Sequence, residues 1–354
     1  MPDRRIVILT EGHTNALSAK TAASVLRYQP DEVIALLDAT QAGKTANELL
    51  GVGGRTPVIA RLEDADNPNV LLIGIAPAGG KLPAEWKQTV LEAFDRGMDV
   101  VSGLHDFLSS DPELAERAAE RGVEIHDVRK NDQSEVSHRL NFREDCLRIH
   151  TVGQDCSLGK MVASIEVARE LERRGHKAKF VATGQTGIMI EGDGCPIDCV
   201  VGDFVNGAVE KLLLANQHHD ILLFEGQGSL AHPRYSAVTA GLLHGCVPHG
   251  MIMCYEAGRE TINGMPHVPL VPLERLIEAY ESFAALAMPS KVIAVAMNSR
   301  LLSAAEAEAE RKQVSDELGL VVSDVFRDGP GILADEVLKL QREVIGKPVT
   351  AHAT

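Results

Sequence analysis

Short apolar runs alternate with helix-length amphipathic segments along the whole chain, and this alternation constrains the fold more than any other feature. In the first 130 residues the runs are RIVILT, DEVIALLDAT, NVLLIGIAP, MDVVSGL and VEIHDV, with helical stretches from about residue 17, over 86–96 and over 112–121. Apolar runs bounded by Gly, Pro and Asp, with helices between them, predict parallel strands covered on both faces. A polar stretch, KNDQSEVSHRLNFRED (130–145), breaks the pattern and reads as a linker. A second series follows: CLRIHTV, KAKFVATG, DILLFEGQG, GMIMCYEAG, KVIAVAMNS and VVSDVFR, with helices to about residue 174, over 273–287, over 304–318 and over 335–344. The expected organisation is α/β throughout: a Rossmann-like parallel-sheet domain over 1–130, a linker over 131–145 and a second α/β domain over 146–354. A chain of 354 residues suits two such cores without disulfide support.

The second domain carries the most informative residues. GQDCSLGK spans Gly153, Gln154, Asp155, Cys156, Ser157, Leu158, Gly159 and Lys160, directly after LRIHTV and before the helix MVASIEVARELERRG. This is G-x-x-x-x-G-K between a strand and a helix, the context in which loop N–H groups and a helix N-terminus cradle phosphate oxygens. The domain is therefore expected to be of the P-loop NTPase-like type. Nucleotide-hydrolysing P-loops follow the lysine with Ser or Thr to bind Mg²⁺; here the residue is Met161, whose thioether cannot do that. Phosphate binding is expected, and Mg²⁺-assisted phosphoryl transfer is not; no metal site is assigned. Cys156 lies where a helix N-terminus could activate a thiol, although any small side chain would fit there.

Further candidates stand at strand ends. Gln185 and Thr186, in TGQTGI, offer polar groups at the carboxyl end of a strand, where open sheets place ligands. Of the carboxylates that follow, Glu191, Asp193, Asp198 and Asp203, the preferred functional one is Asp203, which opens a helix. Glu225 ends an apolar strand before a glycine turn, a place for a general base. His232, Arg234, Tyr235 and Ser236 follow in HPRYS, combining acid–base, carboxylate-binding and hydroxyl groups. Arg259, after another strand, is a candidate bidentate carboxylate clamp. His244 and His249 read as structural, and Asn298 with Arg300 mark a strand end where P-loop proteins often read a base.

In the first domain, TEGHTNALSAK holds one glycine and lacks G-x-G-x-x-G, so no dinucleotide is expected there. Asp38 ends the second strand as a turn or cap residue rather than a ribose ligand. Thirty-five basic and fifty acidic residues give a net charge of −15, which argues against nucleic acid or anionic lipid as a partner. The basic run RELERRGHKAK reads as a solvated helix end. No run approaches a membrane span and no signal peptide is visible, so a cytoplasmic protein is expected. The cysteines at 146, 156, 195, 199, 246 and 254 lack zinc-site spacing; Cys195 and Cys199 read as ordinary loop and core thiols.

GQDCSLGKM, TGQTGIMI with D-x-V-x-x-DF-x-x-GAVE (198–210), EGQGSL-x-HP-x-YS-x-VT-x-GLLHG and LLDATQAGKTANELLG together resemble a family long called a domain of unknown function. That family joins a Rossmann-like domain to a P-loop domain and includes the D-glutamate N-acetyltransferases. The second half is also similar to dethiobiotin synthetase, which has a hydroxyl after the P-loop lysine where this chain has Met161. The resemblance implies acetyl transfer from acetyl-CoA to the amino group of D-glutamate or a similar acidic D-amino acid. On that reading residues 153–161 bind the phosphates of coenzyme A, and Glu225 or His232 is the base. Amides of Gly226 to Gly228 would hold the oxyanion, and Gln185, Thr186, Arg234, Tyr235, Ser236 and Arg259 the substrate. An ATP- and Mg²⁺-dependent ligase or kinase and a non-catalytic CoA or nucleotide sensor remain as alternatives, and a homodimer is the expected assembly.

Overall fold

The apolar runs become two separate six-stranded parallel sheets in the computed structural model, which describes residues 4–15, 18–75, 77 and 79–345. The chain divides into two units: 1–131 with 185–199, and 132–184 with 200–354.

In the first unit the strands are β1 (Ile6–Leu9), β2 (Val33–Leu37), β3 (Val58–Ile59), β4 (Val70–Ile73), β5 (Asp99–Ser102) and β6 (Ile125–Asp127). Their order is β3-β2-β1-β4-β5-β6, so chain direction across the sheet reverses between β1 and β4. The helices are α1 (Lys20–Tyr28), α2 (Ala46–Leu50), α3 (Lys87–Asp95) and α4 (Pro112–Arg121). The start of α4 is written in its sequence: Asp111 accepts from the N–H groups of Glu113 and Leu114, Pro112 stands at the first position, and Gly122 ends the helix left-handed at φ 65°. Alternate strand residues face two cores. Val7, Leu9, Leu71 and Ile73 join Trp86 and Phe94, while Ile6, Ile8 and Leu72 join Val25 and Leu26 of α1. Strands buried on both faces explain why the runs are continuous rather than alternating. Asp38 is a buried cap, as its position suggested: it accepts from Thr40 N at 3.0 Å, Thr40 Oγ1 at 2.6 Å and Thr14 Oγ1 at 2.5 Å. Residue 17, where the first helix was expected to begin, lies outside the described residues.

The second unit is built from β7 (Leu147–Gly153), α5 (Lys160–Arg173) and β8 (Ala178–Val181). After the excursion carrying α6 (Gln185–Glu191), it continues with α7 (Val205–Asn216), β9 (Ile221–Phe224), α8 (Ser236–Cys246) and β10 (Gly250–Glu256). A hairpin of β11 (Thr261–Ile262) and β12 (Met265–Pro269), absent from the sequence reading, precedes α9 (Leu273–Ala285), β13 (Lys291–Asn298), α10 (Ala304–Leu318), β14 (Val322–Ser323) and α11 (Gly331–Val344). The sheet order is β14-β13-β10-β7-β9-β8, which puts β7 and its glycine loop inside the sheet.

Two expectations are corrected. Residues 185–199, read as part of the second domain, belong to the first unit; Met189 packs into the core beside Ile6 and Val25. The polar stretch at 130–145 is not a free linker, because residues from 132 onward belong to the second unit. Glu210 of α7 clasps it, accepting from His138 N at 3.0 Å, Arg139 N at 3.0 Å and Ser137 Oγ. Gly207, one turn earlier, lets the stretch approach so closely that an added Cβ would lie 1.9 Å from Glu135 O. The GAVE motif is thus a docking strip for residues 135–139. Gly241 and Gly245 in GLLHG likewise have no room for a side chain, an added Cβ coming 2.3 Å from Val205 and 2.5 Å from Val209, and so seat α8 on α7.

Candidate functional site

Gly153 ends β7 and Lys160 begins α5, and the loop between them turns through left-handed backbone at Ser157 (φ 56°) and Gly159 (φ 117°). Glycine adopts that conformation freely; serine is held there by the loop. Among the described residues, no protein acceptor takes the backbone N–H groups of residues 157–162. These donors stand at the positive end of a helix of 14 residues, an arrangement that suits a phosphate or diphosphate. Lys160 is buried and its Nζ donates to Asp155 O at 2.7 Å. Burial pushes its pKa below the ordinary lysine value.

Asp155, fully buried, organises the loop. Its Oδ1 accepts from Cys156 N at 2.6 Å, and its Oδ2 from Asn263 N at 2.7 Å and Arg259 Nη1 at 2.8 Å. Arg259 also donates to Cys156 O at 2.9 Å and, through Nε, to Glu256 Oε2 at 2.6 Å, with Nη2 on the same carboxylate. Its guanidinium is thereby committed to two buried acids. Expected as a substrate clamp, Arg259 is a brace that fixes the loop against β10. Asn298 donates to Leu158 O at 3.2 Å and Arg300 Nε lies 2.5 Å from Glu256 Oε1, so these strand-end residues support the same loop.

The second expected base is also engaged. His232 is buried, its Nδ1 accepts from Arg234 N at 3.0 Å, and Nε2 lies 3.5 Å from Asp155 Oδ1. With Nδ1 an acceptor, the ring proton sits on Nε2 facing Asp155, and no lone pair remains for a substrate. Burial lowers its pKa. Glu225 is placed at the end of β9 as expected, but Oε2 accepts from Thr183 N at 2.9 Å and Gly184 N at 3.0 Å. It pins the end of β8 at the point where the chain leaves for the first unit. Gly226 N, expected at an oxyanion, donates to Thr151 Oγ1 at 3.0 Å, and an added Cβ there would lie 1.7 Å from Thr151 O. Cys156 is not activated by the helix: burial, the largest influence on it, pushes its thiol pKa up.

Arg234 and Tyr235 are exposed, Tyr235 lying against His232 with ring centroids 4.6 Å apart, and Ser236 opens α8. Asp203 is exposed in the turn before α7, and no hydrogen bond or ion pair joins it to the loop. Gln185 and Thr186 lie in the first unit, where Thr186 Oγ1 is 3.1 Å from Thr21 Oγ1. His244 stacks on Phe283 at 4.4 Å, and His249 Nδ1 accepts from Arg148 N at 3.0 Å; both are structural. Sequence reading missed Tyr280. Its buried hydroxyl donates to Gly153 O at 2.8 Å and accepts from Leu230 N at 3.1 Å, joining the loop to the turn after β9. In the sequence it is one more apolar position of an amphipathic helix. Among the described residues, two groups of His, Cys and Asp side chains lie close together, Asp155–Cys156–His232 and His105–Asp198–Cys199. In each an arginine already pairs with the carboxylate, Arg259 with Asp155 and Arg129 with Asp198, so neither favours a cation.

Fold and site together define a two-unit α/β protein whose second unit is a P-loop domain, with Met161 after the loop lysine in place of Ser or Thr. Two family models match the sequence: a Rossmann-like domain of unknown function (DUF1611_N) over residues 39–131 and a P-loop domain of unknown function (DUF1611_C) over residues 134–334. The chain belongs to the DUF1611 family. It is similar to a D-glutamate N-acetyltransferase of Tritonibacter scottomollicae, with 36% identity over 322 residues covering 90% of this chain and 94% of the relative. A D-glutamate N-acetyltransferase of a Pseudoalteromonas species is 34% identical over 261 residues, covering 73% and 78%. The crystal structure of a DUF1611 family protein from Anabaena variabilis superposes with a TM-score of 0.90 at 36% identity, covering 95% of this chain and 99% of that one. No helix among the described residues is long and apolar enough to cross a membrane.

Proposed function

We propose that the chain is an N-acetyltransferase that moves acetyl from acetyl-CoA to the amino group of D-glutamate or a similar acidic D-amino acid, in the cytoplasm and as a homodimer. The observation that carries this reading is the match, over nine-tenths of each chain, to a relative named for that activity. The loop at 153–161 supports it chemically. Coenzyme A presents a diphosphate and a ribose phosphate, and free N–H groups at the start of α5 with Lys160 suit such anions without hydrolysing them. Met161 offers Mg²⁺ no ligand, which disfavours an ATP-dependent ligase or kinase.

Arg234, Tyr235 and Ser236 are accessible groups for the substrate's carboxylates, to which an arginine binds bidentately. Incubating the purified protein with acetyl-CoA and a panel of D- and L-amino acids, and following release of free thiol, tests the proposal. Thiol release that depends on an acidic D-amino acid is expected. Absence of amine-dependent release above background overturns it, and phosphate release dependent on Mg²⁺ and ATP would favour the ligase. Lys160→Ala should weaken coenzyme A about 10- to 100-fold, the worth of one charge-assisted hydrogen bond. Unchanged affinity would remove the carrier from this loop.

A further inference from the structure

Within the second unit, the loop at 153–160 and the turn that carries HPRYS are tied together at two points. Tyr280 of α9 is one tie, since its hydroxyl donates to Gly153 O and accepts from Leu230 N. His232 is the other. It is 1% exposed, and its single ring spans from the loop to the backbone of Arg234: Nε2 lies 3.5 Å from Asp155 Oδ1, and Nδ1 accepts from Arg234 N at 3.0 Å. Burial lowers the ring's pKa, with Arg234 and Lys160 acting in the same direction and Asp155 against them, so Nδ1 stays an acceptor at neutral pH.

Between these ties the turn is closed on itself. Ser229 O accepts from His232 N at 3.0 Å, His232 O from Tyr235 N at 3.3 Å, and Gln227 O from Thr239 Oγ1 at 2.7 Å. Gly228 packs so tightly that an added Cβ would lie 2.3 Å from Tyr235 O. Residues 227–235 are therefore built to shift as one body. Outward they present Arg234, exposed and, among the described residues, without an acidic partner. Arg259, by contrast, is spent on two buried acids. At the other end of the relay, Asp155 Oδ1 also accepts from Cys156 N at 2.6 Å, directly before the N–H groups that face a phosphate.

Resting on the acetyltransferase reading, we propose that His232 is a positioning residue that transmits the occupancy of the phosphate loop to Arg234, so that coenzyme A at the loop and the acidic amino acid at the turn bind with positive coupling. Phosphate oxygens on the loop amides fix the peptide that Asp155 caps. Asp155 then fixes the Nε2 side of the ring, and Nδ1 fixes the backbone of Arg234. The freedom that the turn must give up to hold a carboxylate is already lost, so the second ligand binds more tightly. The effect is reciprocal, because each ligand must tighten the other by the same factor. No proton moves and no bond is exchanged. A ring with both nitrogens committed is unsuited to acid–base work and well suited to keeping two segments in register.

The test is calorimetric titration of D-glutamate into the whole chain with and without saturating free coenzyme A, which carries no acetyl group and so allows no turnover. Wild type should bind D-glutamate at least about fivefold more tightly with coenzyme A present, and coenzyme A should gain the same factor from D-glutamate. His232→Gln keeps a donor towards Asp155 but offers Arg234 N no acceptor at the Nδ1 position. His232→Asn keeps that acceptor but does not reach Asp155. Each should bring the factor to within about twofold of unity, whereas a merely structural role would weaken one or both ligands and leave the factor as it was. Arg234→Gln, a surface change that spares the fold, should weaken D-glutamate and remove the coupling as well. A wild-type factor below about twofold, or the wild-type factor persisting in Arg234→Gln or in a folded His232 variant, would overturn the proposal. D-glutamate that neither binds nor releases thiol from acetyl-CoA overturns the acetyltransferase reading instead, so the two failures are separable.

Discussion

Replacing Arg259 with methionine keeps most of the side chain's bulk and removes the cation that two buried carboxylates share. Asp155 is 0% exposed and Glu256 3% exposed. Arg300 stays within 2.5 Å of Glu256, so that acid keeps a partner, while Asp155 loses its one direct ion pair to an arginine and keeps the N–H groups of Cys156 and Asn263, the ring of His232 and the nearby Lys160, whose Nζ is on its backbone O. Removing one partner of a buried pair costs about 3–5 kcal/mol, most of it the stranded charge. The two remaining N–H donors put Arg259→Met at the lower end, about 3 kcal/mol. In urea unfolding, circular dichroism follows both units while Trp86 fluorescence follows the first alone, so a transition seen by the former and not the latter belongs to the second unit. The loss should appear in the second unit alone.

The decisive comparison is a double-mutant cycle with Asp155→Asn, whose amide keeps acceptor and donor atoms but no charge. If the stranded carboxylate is the main cost, the double variant should be more stable than the sum of the single losses by at least about 1.5 kcal/mol. A loss below about 1 kcal/mol for Arg259→Met, or strict additivity, would show that the brace is not electrostatic.

Two further outcomes are expected. Gly207→Ala should drive residues 135–139 from α7, because the new Cβ meets backbone rather than a flexible side chain; a loss of about 3 kcal/mol and vanished hydrogen-exchange protection at His138 and Arg139 are the readouts. Acid should destabilise the second unit through His150, whose pKa burial lowers to about 4, and His249, whose pKa burial and then Arg148 lower to about 3. Both take up a proton on unfolding but not when folded once pH drops below about 6.5, so stability falls from there towards pH 4; at pH 5 each contributes about 2 kcal/mol of loss. Stability independent of pH between 7 and 5 in His150→Phe and wild type alike would contradict this.

The parallel sheets, the P-loop and most helix limits were legible because each rests on local rules. Strands buried on both faces have to be apolar throughout, and α10 announces itself with Ser303 and Glu306 as a reciprocal cap. Roles that depend on distant partners were not legible. Arg259 after a strand looks the same in sequence whether it awaits a carboxylate ligand or already holds Asp155, more than a hundred positions away. His232 reads as a free imidazole until Arg234 N is seen on its Nδ1. His105, Arg129 and Asp198 come from three separated segments, and only the path of residues 185–199 joins them. That path is invisible to periodicity, because a helix of seven residues carries no address for the sheet it packs on.

The returning segment also has a bearing on synthesis. A ribosome that has extruded residue 131 has released six strands but not the helix that covers Ile6 and Val25 with Met189. The N-terminal unit therefore waits, incomplete, until β7, α5 and β8 have also emerged. Neither piece of a gene cut at that point would encode a finished module, which ties the inheritance of the two halves together.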